Sequence, residues 1–155
     1  MRTAKNKAGL CVSSLLWLGW LGFIFSNSLK SKSSSAAQSK PLEDFIKPPL
    51  NAVGVTDDTD RIAELIIRKA AHITEFFVLT LLCLLVLRLW GKKAKHALWI
   101  SASLSVFAAC VDETLQIFSH RGASFTDVLI DSVGVLLAVA LCFLISAIKN
   151  RKNGT

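Results

Sequence analysis

The chain has 155 residues, 52% of them hydrophobic and 19% charged, with a formal net charge of +7. That length suits a single small domain, 1–155, and the apolar residues come in long blocks, which excludes a soluble core built on alternation. The surplus Lys and Arg sit in short flanks beside those blocks, a pattern of membrane topology that argues against nucleic acid as a partner.

The first block, Ala8–Leu29, carries no charge and predicts a span over about 8–25. Arg2, Lys5 and Lys7 precede it as they would a signal peptide. The long apolar core and the three later segments instead make it an uncleaved anchor. Residues 26–60 are Ser-rich from Ser26 to Ser39, then carry Pro41, Pro48 and Pro49, then Asp57, Asp58 and Asp60. Lacking sustained periodicity, they read as an outer loop, with a helix N-cap near Asp58 or Asp60.

The remaining uncharged runs are Phe76–Leu87, Ala97–Val111 and Ser132–Ile148. Each is shorter than the roughly 20 residues a spanning helix needs. Full-length spans, over about 70–90, 97–118 and 127–148, must take in polar residues. The second takes in His72 and Glu75, the third Asp112, Glu113 and Gln116, and the fourth Asp127 and Asp131. An ionisable group near mid-bilayer costs about 2.5–3.5 kcal/mol, so such groups mark an inward-facing functional site. The four cysteines, Cys11, Cys83, Cys110 and Cys142, are scattered through apolar spans. They read as small buried hydrophobes without a metal motif or disulfide framework.

Basic clusters at Arg2–Lys7, at Arg88 with Lys92, Lys93 and Lys95, and at Lys149 with Arg151 and Lys152 mark the cytoplasmic ends. The fold class that follows is all-α: a polytopic four-transmembrane-helix bundle of the plasma membrane, with N-terminus and C-terminus cytoplasmic. Every intramembrane polar residue then falls at the outer ends of its span, with Lys69 and Arg68 above His72, and Arg121 in a short outer loop.

Helical spacing groups these residues further. Arg68, His72 and Glu75 share one face, as do Asp112 and Gln116 with Glu113 adjacent, and as do Asp127 and Asp131. Gly134, near Asp131, permits close helix approach. At 1.5 Å per residue, Asp112 and Asp131 lie about 9 Å below the outer rim. Five carboxylates (Glu75, Asp112, Glu113, Asp127, Asp131) face three fixed cations, Arg68, Lys69 and Arg121. Helix-clamping pairs such as Arg68–Glu75 and Arg121–Asp127 are the structural reading. The surplus of carboxylates points beyond that, to bound protons or a held cation. His72 and Glu75 at i+3 form a candidate metal pair that Glu113 and Asp127 would complete, so a divalent metal is one candidate cofactor. Zincin and di-iron spacings are absent, and Ser119 and Ser124 belong to no recognisable nucleophile motif.

These residues carry a resemblance. The run from Arg68 and Lys69 through His72 and Glu75 to Phe76, the run Asp112–Phe118 containing Glu113 and Gln116, then Arg121, Asp127 and Gly134, resemble the VanZ-like family of small bacterial membrane proteins. Phe25–Ser28 and the serine cluster resemble the family's first outer loop, so the likeness covers about residues 25–144. Asp131, where the pattern has Asn, and His120 before Arg121 depart from it. The resemblance implies a polytopic plasma-membrane protein whose namesake contributes to teicoplanin resistance; it implies no mechanism.

Three functions remain open. In the first, an outward-facing polar pocket binds a cell-envelope ligand through Arg68, Lys69, His72, Glu75, Asp112, Glu113, Gln116, Arg121, Asp127 and Asp131. Membrane lipids and lipid-linked cell-wall intermediates are the partners at that depth. In the second, an intramembrane hydrolase or transferase acts on a lipid-linked substrate, with Glu75, Glu113 or Asp127 as general base and His72 as proton donor or metal ligand. In the third, the charges fix the packing of a larger membrane complex.

Overall fold

The computed structural model describes residues 4–55, 58–119 and 124–153. Within them the chain forms five helices and no strand: α1 (Ala4–Ser28), α2 (Lys32–Ala52), α3 (Thr59–Leu89), α4 (Ala94–Phe118) and α5 (Phe125–Asn153). Four of these, α1, α3, α4 and α5, are long and apolar enough to cross a membrane. A 25-residue helix reaches about 37 Å, more than a hydrocarbon core of about 30 Å.

α3 is the central helix and packs against each of the other four. The core is small: Ile24, Phe76, Leu79, Ala108, Ala109 and Val135 are buried together, with Trp17 and Trp20 against them. α4 shows why small residues suffice. Its buried face runs Ala97, Ser101, Ser105, Ala108 and Ala109 before reaching Asp112. Helix association in lipid depends on close backbone approach and internal hydrogen bonds, which small side chains allow. Ser101 returns its hydroxyl to the Leu98 carbonyl at 2.8 Å. On α5 the same role falls to Gly134, where an added Cβ would run into the Ile73 carbonyl and lie 3.0 Å from the Phe77 nitrogen. The outward faces are apolar, with Leu15, Phe107, Leu136 and Phe143 exposed. Cys83 alone among the cysteines is buried; Cys11 and Cys110 are exposed, contrary to the reading of all four as buried hydrophobes.

The segment expected to be a loop contains α2, which corrects that expectation. Ser31 caps it, its hydroxyl accepting from the Ser34 N–H. Pro41, Pro48 and Pro49 lie inside it. Each removes one donor from the helix ladder, the reason the sequence reads as irregular. Tertiary contact offsets that cost: α2 lies along α3, Glu43 is buried and takes the Ser39 hydroxyl, and Lys47 bonds Asp44 at 2.8 Å and Asp60 at 2.7 Å. Those two hydrogen bonds, Asp44 first, raise the Lys47 ammonium above its usual range. Thr59 closes the corner by donating to the Val55 carbonyl at 2.8 Å. Asp58 does occupy the N-cap position of α3, but in a left-handed conformation (φ 59°) and without a side-chain capping bond.

Candidate functional site

Four helices converge on one end of the bundle, opposite the Gly91–Lys93 turn that joins α3 to α4. The buried face of α4 arrives there as Asp112, Glu113 and Gln116, which are 0%, 4% and 5% exposed. The Gln116 amide donates to Asp112 Oδ2 at 3.1 Å and to Glu113 Oε1 at 2.9 Å, the i+4 and i+3 reach of one helix face. Ser28, the last residue of α1, donates its hydroxyl to Asp112 Oδ1 at 2.5 Å. The Ser124 N–H, just ahead of α5, donates to Glu113 Oε2 at 3.0 Å. Each of these two carboxylates therefore accepts one bond per oxygen, and each oxygen keeps a second lone pair.

Asp131 is treated differently. It is fully buried on α5, and His72 Nδ1 of α3 lies 3.1 Å from its Oδ1. Beyond that contact, His72 Nδ1 and both Asp131 oxygens have no hydrogen-bond partner among the described residues. One ligand atom from each of His72, Asp112 and Asp131 falls within 4.8 Å of the others. Two carboxylate charges at that separation repel by at least about 3.5 kcal/mol at an effective dielectric near 20. A proton on one of the carboxylates, or positive charge on His72 or between the three groups, relieves it.

The rest of the polar end is arranged around that group. Glu75 turns toward α1: Asn27 Nδ2 donates to its Oε1 at 3.1 Å, and Trp20 Nε1 donates to its backbone carbonyl at 2.9 Å. Lys69 pairs with Asp127 at 3.1 Å, with side chains 38% and 26% exposed, nearer the rim. A cleft of about 240 Å³ opens between α1, α2 and α3, lined by Lys30, Arg68, His72, Glu75 and the hydroxyls of Ser35 and Ser39. Lys30 is held by Asn27 Oδ1 at 2.8 Å and Gln38 Oε1 at 3.0 Å. Arg68 makes no ion pair among the described residues. A second void of about 10 Å³, the size of one water or small ion, lies against Arg68, Lys69, His72, Gln116, Asp127 and Asp131.

The sequence-predicted residues thus separate into distinct settings. His72, Asp112 and Asp131 meet; Glu113 and Gln116 adjoin them; Arg68 faces the cleft; Lys69 and Asp127 sit toward the rim. Arg121 and His120 lie outside the described residues, as do Arg2 and Asp57. Of the four metal candidates, His72 belongs to the three-ligand group, whereas Glu75, Glu113 and Asp127 turn to Asn27, Ser124 and Lys69. The pairing read as Arg68–Glu75 is replaced by Asn27–Glu75. Asn27, Ser28 and Lys30 were missed by sequence reasoning. Their signal was positional: they end the first span at the level where the other three carry their acids.

Comparison with known proteins agrees on lineage. The family model described as VanZ/LLP1 matches residues 12–146. The uncharacterized membrane protein YwnJ of Bacillus subtilis (strain 168) is 32% identical over 133 residues, covering 84% of this chain and 89% of that protein. No solved structure matches.

Proposed function

The chain belongs to the VanZ/LLP1 family and is a multi-pass protein of the bacterial plasma membrane, and from that premise we propose that it binds an anionic cell-envelope ligand at its polar end. The observation that carries this reading is the cleft between α1, α2 and α3. It presents the Arg68 guanidinium and the Lys30 ammonium beside hydroxyl and amide groups, with Glu64 and Glu75 on the same lining. Arg recognises phosphate and carboxylate through paired donors, and the neighbouring hydroxyls complement sugar or amide groups. The positive-inside pattern turns this end outward, where the headgroups of anionic lipids and of lipid-linked wall precursors reside. Engagement of such a ligand contributes to resistance of the teicoplanin type.

The test is a host lacking the endogenous copy, complemented with wild type, Arg68→Ala or Lys30→Ala and scored for teicoplanin susceptibility and membrane abundance separately. Loss of the phenotype at unchanged abundance is expected. Full protection by both variants, together with unaltered retention of envelope lipids by the purified protein, would end this reading.

A second reading, a hydrolase or transferase on a lipid-linked substrate, is favoured by one observation: His72 and Glu75 both line the cleft. Glu75 would then serve as general base and His72 as proton donor. Product released from envelope lipid extracts by wild type but not by Glu75→Gln is its signature.

A further inference from the structure

We propose that His72 of α3, Asp112 of α4 and Asp131 of α5 together hold a divalent transition-metal ion. The inference does not depend on what occupies the cleft, since it concerns three side chains buried beneath it.

Three independent features converge. The donor set comes from three separate helices, yet one ligand atom from each lies within 4.8 Å of the others. Asp131 is fully buried; its Oδ1 lies 3.1 Å from His72 Nδ1, and its Oδ2 has no hydrogen-bond partner among the described residues. A buried carboxylate of this kind is normally hydrogen-bonded, protonated or coordinated to a cation. A void of about 10 Å³, room for one water that could complete the coordination, also borders His72 and Asp131, with Arg68, Lys69 and Asp127 on its other sides.

The surrounding bonds fit metal ligation. Asp112 is oriented by Ser28 at 2.5 Å and by Gln116 at 3.1 Å. Those are the outer partners that fix a ligating carboxylate while leaving one lone pair on each oxygen free. One imidazole nitrogen with two carboxylates and no thiolate suits zinc, manganese or ferrous iron better than copper(I) or calcium. Three protein ligands leave at least one further position, the pattern of an open rather than a closed site. Ligands each about 2.1 Å from a shared ion sit about 3.4 Å apart in tetrahedral geometry. Loading would therefore draw the carboxylates inward, the ion taking the place of the direct His72–Asp131 contact.

The competing arrangement has a protonated His72 paired with Asp131 and no metal. Purified full-length protein in nanodiscs, stripped with chelator and then offered Zn²⁺, Mn²⁺, Fe²⁺ or Mg²⁺ alone, separates the two after desalting and elemental analysis. About one equivalent of a transition ion per chain is expected. Asp131→Asn and His72→Gln should each weaken it at least tenfold, while Asp44→Asn, on α2 and away from the group, retains it. Should the Asp131 variant fail to fold, the wild type decides alone: its melting temperature should rise with metal concentration and fall again with chelator. Less than a tenth of an equivalent of every ion offered, or wild-type loading by folded Asp131→Asn and His72→Gln, would overturn the proposal. Failure of Arg68→Ala to alter antibiotic susceptibility would leave it untouched.

Discussion

Ser28 at the end of α1 and Asp112 on α4 are 84 residues apart in sequence, yet they share a 2.5 Å hydrogen bond in a fully buried setting. Ser28→Ala removes the donor and leaves Asp112 Oδ1 without that partner. A buried acceptor stranded in this way costs about 1–3 kcal/mol. Thermal unfolding in detergent should show a lower midpoint for Ser28→Ala, and Ser28→Thr should recover most of the loss. A midpoint equal to wild type would mean that this contact contributes nothing.

Gly134 sets the distance between α3 and α5. Alanine there is the better helix former by about 1 kcal/mol, so a destabilised Gly134→Ala would have to come from the collision with the Ile73 carbonyl. Overpacking of this kind costs about 1–3 kcal/mol. The matched control is Gly9→Ala, where nothing lies within 4 Å of the new methyl group. Size-exclusion profiles should show a diminished folded peak for the first and none of that loss for the second.

Lys69 and Asp127 form an ion pair toward the rim, with side chains 38% and 26% exposed. Half-exposed pairs are typically worth about 1 kcal/mol or less. A double-mutant cycle on Lys69→Ala and Asp127→Asn, read by thermal unfolding, should return a coupling inside that range that shrinks with added salt. A coupling several times larger would indicate that the pair is buried in the working protein.

Topology gives a further expectation. In a cysteine-free background, Ser33→Cys should react with an impermeant thiol reagent on intact cells. Lys93→Cys should react only after the membrane is opened, the outcome that the positive-inside pattern of the basic turn between α3 and α4 predicts. The opposite labelling pattern would invert the protein.

What the sequence made legible follows from how its signals arise. The spans were readable because short uncharged runs forced His72, Asp112 and Asp131 into the membrane, and their shared level followed from the positions of the basic flanks. Spacing along one helix was also sufficient for Gln116 to be placed with Asp112 and Glu113. Contacts between helices were not legible, because they depend on rotation about each axis. His72 and Glu75 lie three residues apart, about 60° around α3, and that angle sends one to Asp131 and the other to Asn27. α2 was hidden for a different reason: its prolines report the local cost of a helix and nothing about the neighbour that offsets it.

Trp20, Asn27 and Ser28 bind α1 to α3 and α4 by an indole, an amide and a hydroxyl. A protease that trimmed this first helix as an export leader would strip Glu75 and Asp112 of those donors in one cut. The first helix is thus also a wall of the polar cleft, and Glu75 and Asp112 keep these donors only while it stays in place.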